Sequence, residues 1–417
     1  MMGNENAHVA PGQKRSGIIL LIAIFTTFLF YGFLGGIRGP ALPRIQEDFS
    51  LTEFQLGLML ATNSLGYLIS CSNTAALAKR IGIKTCLIIS LTIFIISGCC
   101  ICFSPSFIAL LLSFFVLNLG CGMQEVSQGV IAAMTFTKNT GTMMNLTHFF
   151  YGAGNTISPI VSTSLMVARL GGKILTWRYA YLIILSWALI PAILMLIGRF
   201  KKQDVENRKS GLAELMKKPA LWLTVFALAV ASVCELGIGS WLVSFLEKAY
   251  SYSSEQAALR LTLFFVCMTV PRLFLGPILD RIGLITSVAI VTALTGIVVV
   301  AGVVCGEPGT ILFVLSGVFL SPLYPTVAAV IAKLFSDEID YAMSIMTTVM
   351  GAVMAIANLC LGGIIQLARR VFTNTHGDAG VGMAYSAGFL FLGLCCFGAF
   401  VITMVLRSRQ KKAGQLV

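Results

Sequence analysis

Apolar residues gather into twelve long stretches, at about 16–43, 52–78, 84–104, 106–136, 141–168, 177–198, 219–247, 254–280, 285–305, 309–333, 340–368 and 382–406, with short polar or basic segments between them. An α-helix needs about 20 mainly apolar residues to cross a bilayer, and each stretch meets that length. None shows the strict alternation of a barrel strand. The pattern predicts an all-α membrane protein with twelve transmembrane helices, spans 1 to 12. The first stretch reads as a span and not a cleavable leader, because its apolar run is long and leads into Gly39-Pro-Ala-Leu-Pro-Arg-Ile45 without a small-residue cleavage site.

Composition agrees: 57% of the residues are hydrophobic, 11% are charged, and the mean hydropathy is +0.90. A soluble protein of this size could not keep so much apolar surface from water. The net charge of +12 follows from a bias in the connecting segments. With both termini cytoplasmic, the inner segments hold Lys14, Arg15, Lys79, Arg80, Lys84, Lys138, the Arg199–Lys218 cluster, Arg281, Lys333 and the Arg407–Lys412 tail. That is the positive-inside pattern of a multi-pass protein of the cell (inner or plasma) membrane, and it calls for no nucleic-acid partner. The cysteines, among them Cys71, Cys99, Cys100, Cys121, Cys395 and Cys396, lie mostly inside spans without paired spacing and read as packing residues. The sequon at Asn145 falls within a span and is expected to be silent.

The longest connection, from Arg199 to Pro219, divides the chain into six spans plus six: residues 1–198, a cytoplasmic linker 199–218, and residues 219–417. The halves echo each other at a constant offset of 201 positions. Ser50-Leu-Thr-Glu-Phe-Gln55 recurs as Ser251-Tyr-Ser-Ser-Glu-Gln256, and Lys79-Arg-Ile-Gly82 as Asp280-Arg-Ile-Gly283. Thr52…Gln55 and Ser253…Gln256 have the spacing of capping boxes that open spans 2 and 8. The glycines end those spans at the opposite membrane face, with a cation meeting the negative end of each helix.

Gly276-Pro-Ile-Leu-Asp280-Arg281-Ile-Gly283 resembles the loop signature of major facilitator transporters. The first-half copy, which keeps Arg80 and Gly82, has Ala75 for the leading Gly and Lys79 for the Asp. Three segments are similar to the fucose–galactose–glucose proton symporter group: Asn145-Leu-Thr-His148-Phe-Phe-Tyr-Gly152-Ala-Gly154 through Pro159, Glu235-Leu-Gly-Ile-Gly239-Ser240-Trp241, and Ser321-Pro-Leu-Tyr324-Pro325-Thr326. The resemblance implies two pseudo-symmetric six-helix bundles that expose a central site alternately to either side of the membrane. It implies gating by Arg80, Gly82, Gly276, Asp280, Arg281 and Gly283, and monomeric import of a monosaccharide with protons. It also puts a carboxylate on span 4, where Glu125 stands.

Two carboxylates, Glu125 and Glu235, lie in the middle of apolar stretches. An ionised side chain at mid-bilayer costs about 2.5–3.5 kcal/mol on insertion scales, so such residues face a bundle interior and handle ions or polar solutes. Glu125, Glu235 and His148 are therefore the candidates for proton coupling, since each can exchange between a charged and a neutral form. Polar residues also fall on single helix faces. Asn118, Cys121, Glu125 and Gln128 align on span 4, with Gln124 beside them. Asn145, His148, Gly152 and Asn155 align on span 5, Asn63, Gly66, Tyr67 and Ser70 on span 2, and Thr347, Gly351 and Asn358 on span 11. Such stripes suit either a cavity or dry helix–helix packing. The candidate substrate contacts are Asn63, Gln124, Gln128, Asn145, His148, Glu235, Trp241, Tyr324, Asn358 and Arg38. Arg38 either clamps an anionic group or snorkels to the outer surface about five residues away. Arg272 needs a partner, which Glu235 or a carbonyl could supply. The residues show no phosphate-binding loop, metal-ligand spacing or nucleophile–base set, so neither a cofactor nor an enzyme is expected. The rival readings are an exporter of an anionic or amphipathic compound, in which Arg38 and Arg272 read the charge, and a ligand sensor without turnover.

Overall fold

The computed structural model describes residues 11–136, 140–170, 172–198, 212–335, 339–377 and 379–412. Lys138 and most of the 199–218 connection lie outside the described residues, as do the side chains of Lys14, Arg15, Asn145 and Asp280 and the surroundings of Gly276. Helices account for all twelve spans. Span 1 comprises α1 (Pro11–Gly36) and α2 (Arg38–Asp48); spans 2 to 5 are α3 (Glu53–Ile81), α4 (Ile83–Cys102), α5 (Phe107–Thr135) and α6 (Thr140–Val167). Span 6 comprises α7 (Trp177–Ser186) and α8 (Leu189–Ile197), and a short α9 (Leu212–Leu215) precedes span 7, α10 (Pro219–Tyr250). Span 8 comprises α11 (Ser254–Thr269) and α12 (Arg272–Ile282), and span 9 is α13 (Leu284–Val304). Span 10 comprises α14 (Thr310–Leu320) and α15 (Leu323–Leu334), followed by α16 (Ile339–His376) and α17 (Ala379–Lys412). A two-residue antiparallel ladder, Arg169–Leu170 with Lys173–Ile174, joins spans 5 and 6.

Four spans expected as single helices are broken, and proline accounts for the positions. A helical proline lacks an N–H and its ring collides with the carbonyl four residues earlier. Pro40, Pro191 and Pro325 stand four residues after Gly36, Trp187 and Ser321, which are the break points of spans 1, 6 and 10. Pro271 lies within the break of span 8. Pro43 and Pro159 are carried without interruption.

The 201-residue repeat is written into the backbone. Ser50 and Ser251 are the two non-glycine residues with positive φ among the described residues, at 51° and 54°, and Gly82 and Gly283 turn between spans at 88° and 93°. Both capping boxes form. Thr52 and Gln55 exchange hydrogen bonds at 3.2 and 2.9 Å, and Ser253 and Gln256 at 3.2 and 3.1 Å. The membrane face bearing these boxes is called the cap face below, and the one bearing Gly82 and Gly283 the glycine face.

Span 1 packs backbone to backbone on span 5. A Cβ at Gly32 would lie 1.9 Å from the Tyr151 carbonyl oxygen, and one at Gly154 2.1 Å from that of Leu29. Neither neighbour is a side chain that can turn aside. Gly32→Ala and Gly154→Ala are each expected to destabilise the protein by more than about 3 kcal/mol, beyond ordinary overpacking. Gly129→Ala, where a Cβ meets nothing within 4 Å, is the matched control. Thermal unfolding followed by fluorescence-detected size exclusion checks this, and equal behaviour of the three variants would refute it.

The halves are tied together at the cap face. Arg44 of α2 pairs with Glu247 of α10 at 2.8 Å and also reaches Ser254. Arg369 of α16 pairs with Glu53 at the start of α3, whose side chain is only 2% exposed. Gln46 donates to the same carboxylate at 3.1 Å. The receiving positions correspond under the repeat, since Gln46 and Glu53 shifted by 201 give Glu247 and Ser254, although the two arginines do not. Each half thus offers one carboxylate in this region to an arginine of the other. Deeper in the membrane, the Asn358 amide donates to Ser64 at 3.3 Å, and Gly57 and Gly362 bring spans 2 and 11 into backbone contact.

Candidate functional site

Tyr151, at mid-length in α6, is the residue on which the charged groups converge. Its hydroxyl lies within electrostatic range of Glu125, Glu235, Arg38 and Arg272, the four membrane-embedded charges singled out from the sequence. They come from different elements: Arg38 from the start of α2, Glu125 from α5, Glu235 from α10 and Arg272 from the start of α12. Two of the four stand directly after helix breaks. Tyr151 was not among the sequence candidates, although it sits three residues after His148 and four before Asn155 on the same polar face.

Glu125 is half-buried, and Tyr31, Tyr67, Tyr151 and Tyr324, from spans 1, 2, 5 and 10, all lie within its electrostatic range. The Tyr31 and Tyr151 rings are 5.7 Å apart between centroids. Tyr67 also contacts the Cys71 thiol, which in turn faces the Gly122 carbonyl at 3.6 Å. All twelve cysteines are free. Room for this cluster comes from Gly35: a Cβ there would sit 3.0 Å from Asn155 Oδ1 and 3.6 Å from the Tyr151 hydroxyl. Asn155 Oδ1 itself is buried and has no hydrogen-bond partner.

Arg38 lies deeper than the snorkelling reading required. Helix α2 continues ten residues beyond it to Asp48, which at the helical rise is about 15 Å. Half-buried, it lies within range of Cys121, Tyr151 and Tyr181. Pro40 occupies the first turn of α2, where the N–H it lacks would have been unpaired anyway.

His148 stacks edge-on to Phe28 with centroids 5.9 Å apart and lies within range of Arg272. Arg272 donates from Nε to the Ser321 carbonyl at 2.9 Å, so the carbonyl partner foreseen for it is present. Glu235 is half-buried and within range of Arg272, yet the two form no ion pair among the described residues.

The remaining candidates divide. Tyr324 joins the cluster. Gln124 is fully buried and turned toward span 1, donating to the Thr27 carbonyl and to Gln128 at 3.2 Å each. Asn63 is buried with its carbonyl oxygen unpartnered, and Asn358 is engaged across the halves with Ser64. Trp241 is fully buried against Tyr385 of span 12, with ring centroids 6.4 Å apart, in an aromatic layer that continues through Phe245, Phe313 and Phe389. Helix α10, which carries it, runs unbroken from Pro219 to Tyr250. Among the gating candidates, Arg80 and Arg281 are exposed in the last turns of α3 and α12 at the glycine face.

The Major Facilitator Superfamily profile matches residues 21–308 and 243–416. The chain is 23% identical over 380 residues to the L-fucose-proton symporter of Escherichia coli K12, covering 82% of this chain and 86% of that protein. Among solved structures it resembles the nucleoside transporter NupG, at a TM-score of 0.75 with 14% identity over 93% of this chain and 99% of that one. It also resembles a bacterial homologue of the human lysosomal transporter Spinster in an inward-facing, occupied conformation, at 0.73 with 14% identity over 96% and 98%. Twelve helical spans, a repeat carried in the backbone and a profile match along nearly the whole chain place this protein in the Major Facilitator Superfamily, as a membrane transporter and not an enzyme.

Proposed function

We propose that this transporter imports a monosaccharide together with protons. The observation that carries the reading is the balance of charge around Tyr151: two carboxylates and two guanidiniums, summing to zero when all are ionised. A neutral polyhydroxyl solute leaves that balance intact, whereas an anion would add a fifth charge to a site that already compensates its own. The four half-buried tyrosines suit the same solute, offering hydroxyls for polar edges and ring faces for apolar ones. The fucose symporter relative is consistent with this chemistry.

In the proposed orientation both termini are cytoplasmic and the cap face is outside. Glu125 takes up a proton from the outer side. Sugar then binds between the halves, the halves rock, and both leave at the glycine face. In that orientation the two arginine–carboxylate pairs at the cap face close the site to the outside. The proposed gating role of Asp280, Arg281 and Gly283, with Arg80 and Gly82, belongs to the opposite closure at the glycine face.

The test is uptake of labelled hexoses and small organic anions by the purified protein in liposomes under an imposed inward proton gradient. Concentrative hexose uptake that vanishes when the gradient is collapsed is expected. Movement of anions without hexoses would transfer the role of substrate recognition to Arg38 and Arg272 and refute the sugar reading.

A further inference from the structure

Span 10 contains a carbonyl that its own helix cannot satisfy. In a continuous helix the Ser321 carbonyl would accept from the N–H of residue 325, and that residue is proline. The Ser321 N–H still bonds the Gly317 carbonyl and the Thr326 N–H that of Pro322, both at 2.9 Å, and the ladder is interrupted between them, where Pro322 also lacks an N–H. Arg272 fills the gap through Nε at 2.9 Å. Arg272 is itself the first residue of α12, directly after the break in span 8, so this one bond joins the breaks of two spans.

The rest of the guanidinium is uncommitted. Its Nη groups make no hydrogen bond among the described residues, and it lies within electrostatic range of Glu235 on span 7 and of His148 and Tyr151 in the other half. The buried Ser321 hydroxyl beside it has no partner either. An arginine anchored by Nε and free at the fork of its two Nη groups can accept a carboxylate bidentately without leaving its anchor, which a lysine could not do.

We propose that Arg272 is a positioning residue that reads the state of Glu235 and passes it to α12 and α15, the glycine-face halves of spans 8 and 10. When Glu235 is free and ionised, it draws the guanidinium fork and tightens the Arg272–Ser321 tie. When Glu235 is neutral or engaged with substrate, the fork is released and the two half-helices loosen together. The proposal rests on the central-site reading only for what occupies Glu235, and its test needs no substrate.

The experiment is amide hydrogen exchange, read by mass spectrometry, on the full chain in lipid nanodiscs without added sugar. Wild type, Glu235→Gln, Arg272→Gln, Pro325→Ala and the two double variants with Glu235→Gln are compared over 272–282 and 323–334. Pro325→Ala restores the missing donor to the Ser321 carbonyl while adding a helix hydrogen bond, so it displaces Arg272 without threatening the fold. Glu235→Gln is expected to speed exchange in both segments about tenfold in the wild-type background, from the loss of the carboxylate's pull on the guanidinium. It should change exchange less than about twofold in either the Arg272→Gln or the Pro325→Ala background, since the link is already cut. An undiminished effect of Glu235→Gln in those backgrounds, or none in wild type, would overturn the proposal. Failure of the sugar reading would appear separately, in the liposome assay.

Discussion

Glu125→Gln is expected to abolish concentrative uptake while leaving substrate exchange across the membrane intact. The amide keeps the size of the carboxyl group, so the tyrosine cluster around it survives. What it loses is the ability to change charge. With about −100 mV across the membrane each proton contributes roughly 2.3 kcal/mol, which sets an accumulation of about fiftyfold for a one-proton carrier. The variant should fall to an inside-to-outside ratio near unity. Counterflow of labelled against unlabelled sugar in the same liposomes separates coupling from binding. If counterflow disappears along with accumulation, Glu125 is a substrate ligand and not the coupling group.

The second large effect is expected at the cap face. Arg369→Ala strands the Glu53 carboxylate, 2% exposed, with the Gln46 amide as its remaining side-chain donor among the described residues. Removing one partner of a buried pair is costly, although the exposure of Arg369, 42% at its side chain, moderates the loss. A penalty of about 2 kcal/mol on the closed cap face shifts the equilibrium roughly thirtyfold toward the cap-open conformation. Nitroxide labels at the exposed Glu47 and Thr375, in a background cleared of exposed cysteines, would report the opening as a longer distance. Adding Glu53→Gln should restore closure, because no charge is then stranded. A distance distribution unmoved by Arg369→Ala would mean that the pair does not hold the halves together.

Much of this architecture is legible in the sequence because it rests on local rules. The capping boxes at Thr52 and Ser253 and the turn glycines at 82 and 283 are set by backbone chemistry within a few residues, and they recur at the predicted places. Glu125 and Glu235 announce themselves by the cost of their surroundings. The breaks in spans 1, 6 and 10 follow from prolines whose effect falls four residues upstream, which a search for apolar stretches passes over. Trp241 and Gln124 illustrate the opposite limit. Which side of a fully buried helix faces a neighbour and which a cavity depends on crossing geometry, and no spacing in the chain encodes it. Tyr151 escaped notice because tyrosine in a span is ordinarily an interface residue; its role arises from four charges contributed by four distant segments.

Among the described residues, ten of the twelve spans are both long and apolar enough to cross a membrane, and the two that are long enough but more polar are α3 and α6. These carry Asn63, Tyr67, His148, Tyr151 and Asn155, and both press against the opposite half: α3 on α16 through Gly57, Gly362 and Asn358, and α6 on α11 where Gly152 meets Thr269. The order of synthesis then matters. A nascent chain that has delivered only its first six spans holds two weakly lipophilic helices, each packed on a span of its own half but with one flank whose partner has not been made. For α3 that partner is span 11, nearly three hundred positions downstream. Biogenesis therefore leaves the first bundle with a flank poorly suited to lipid until translation is almost complete.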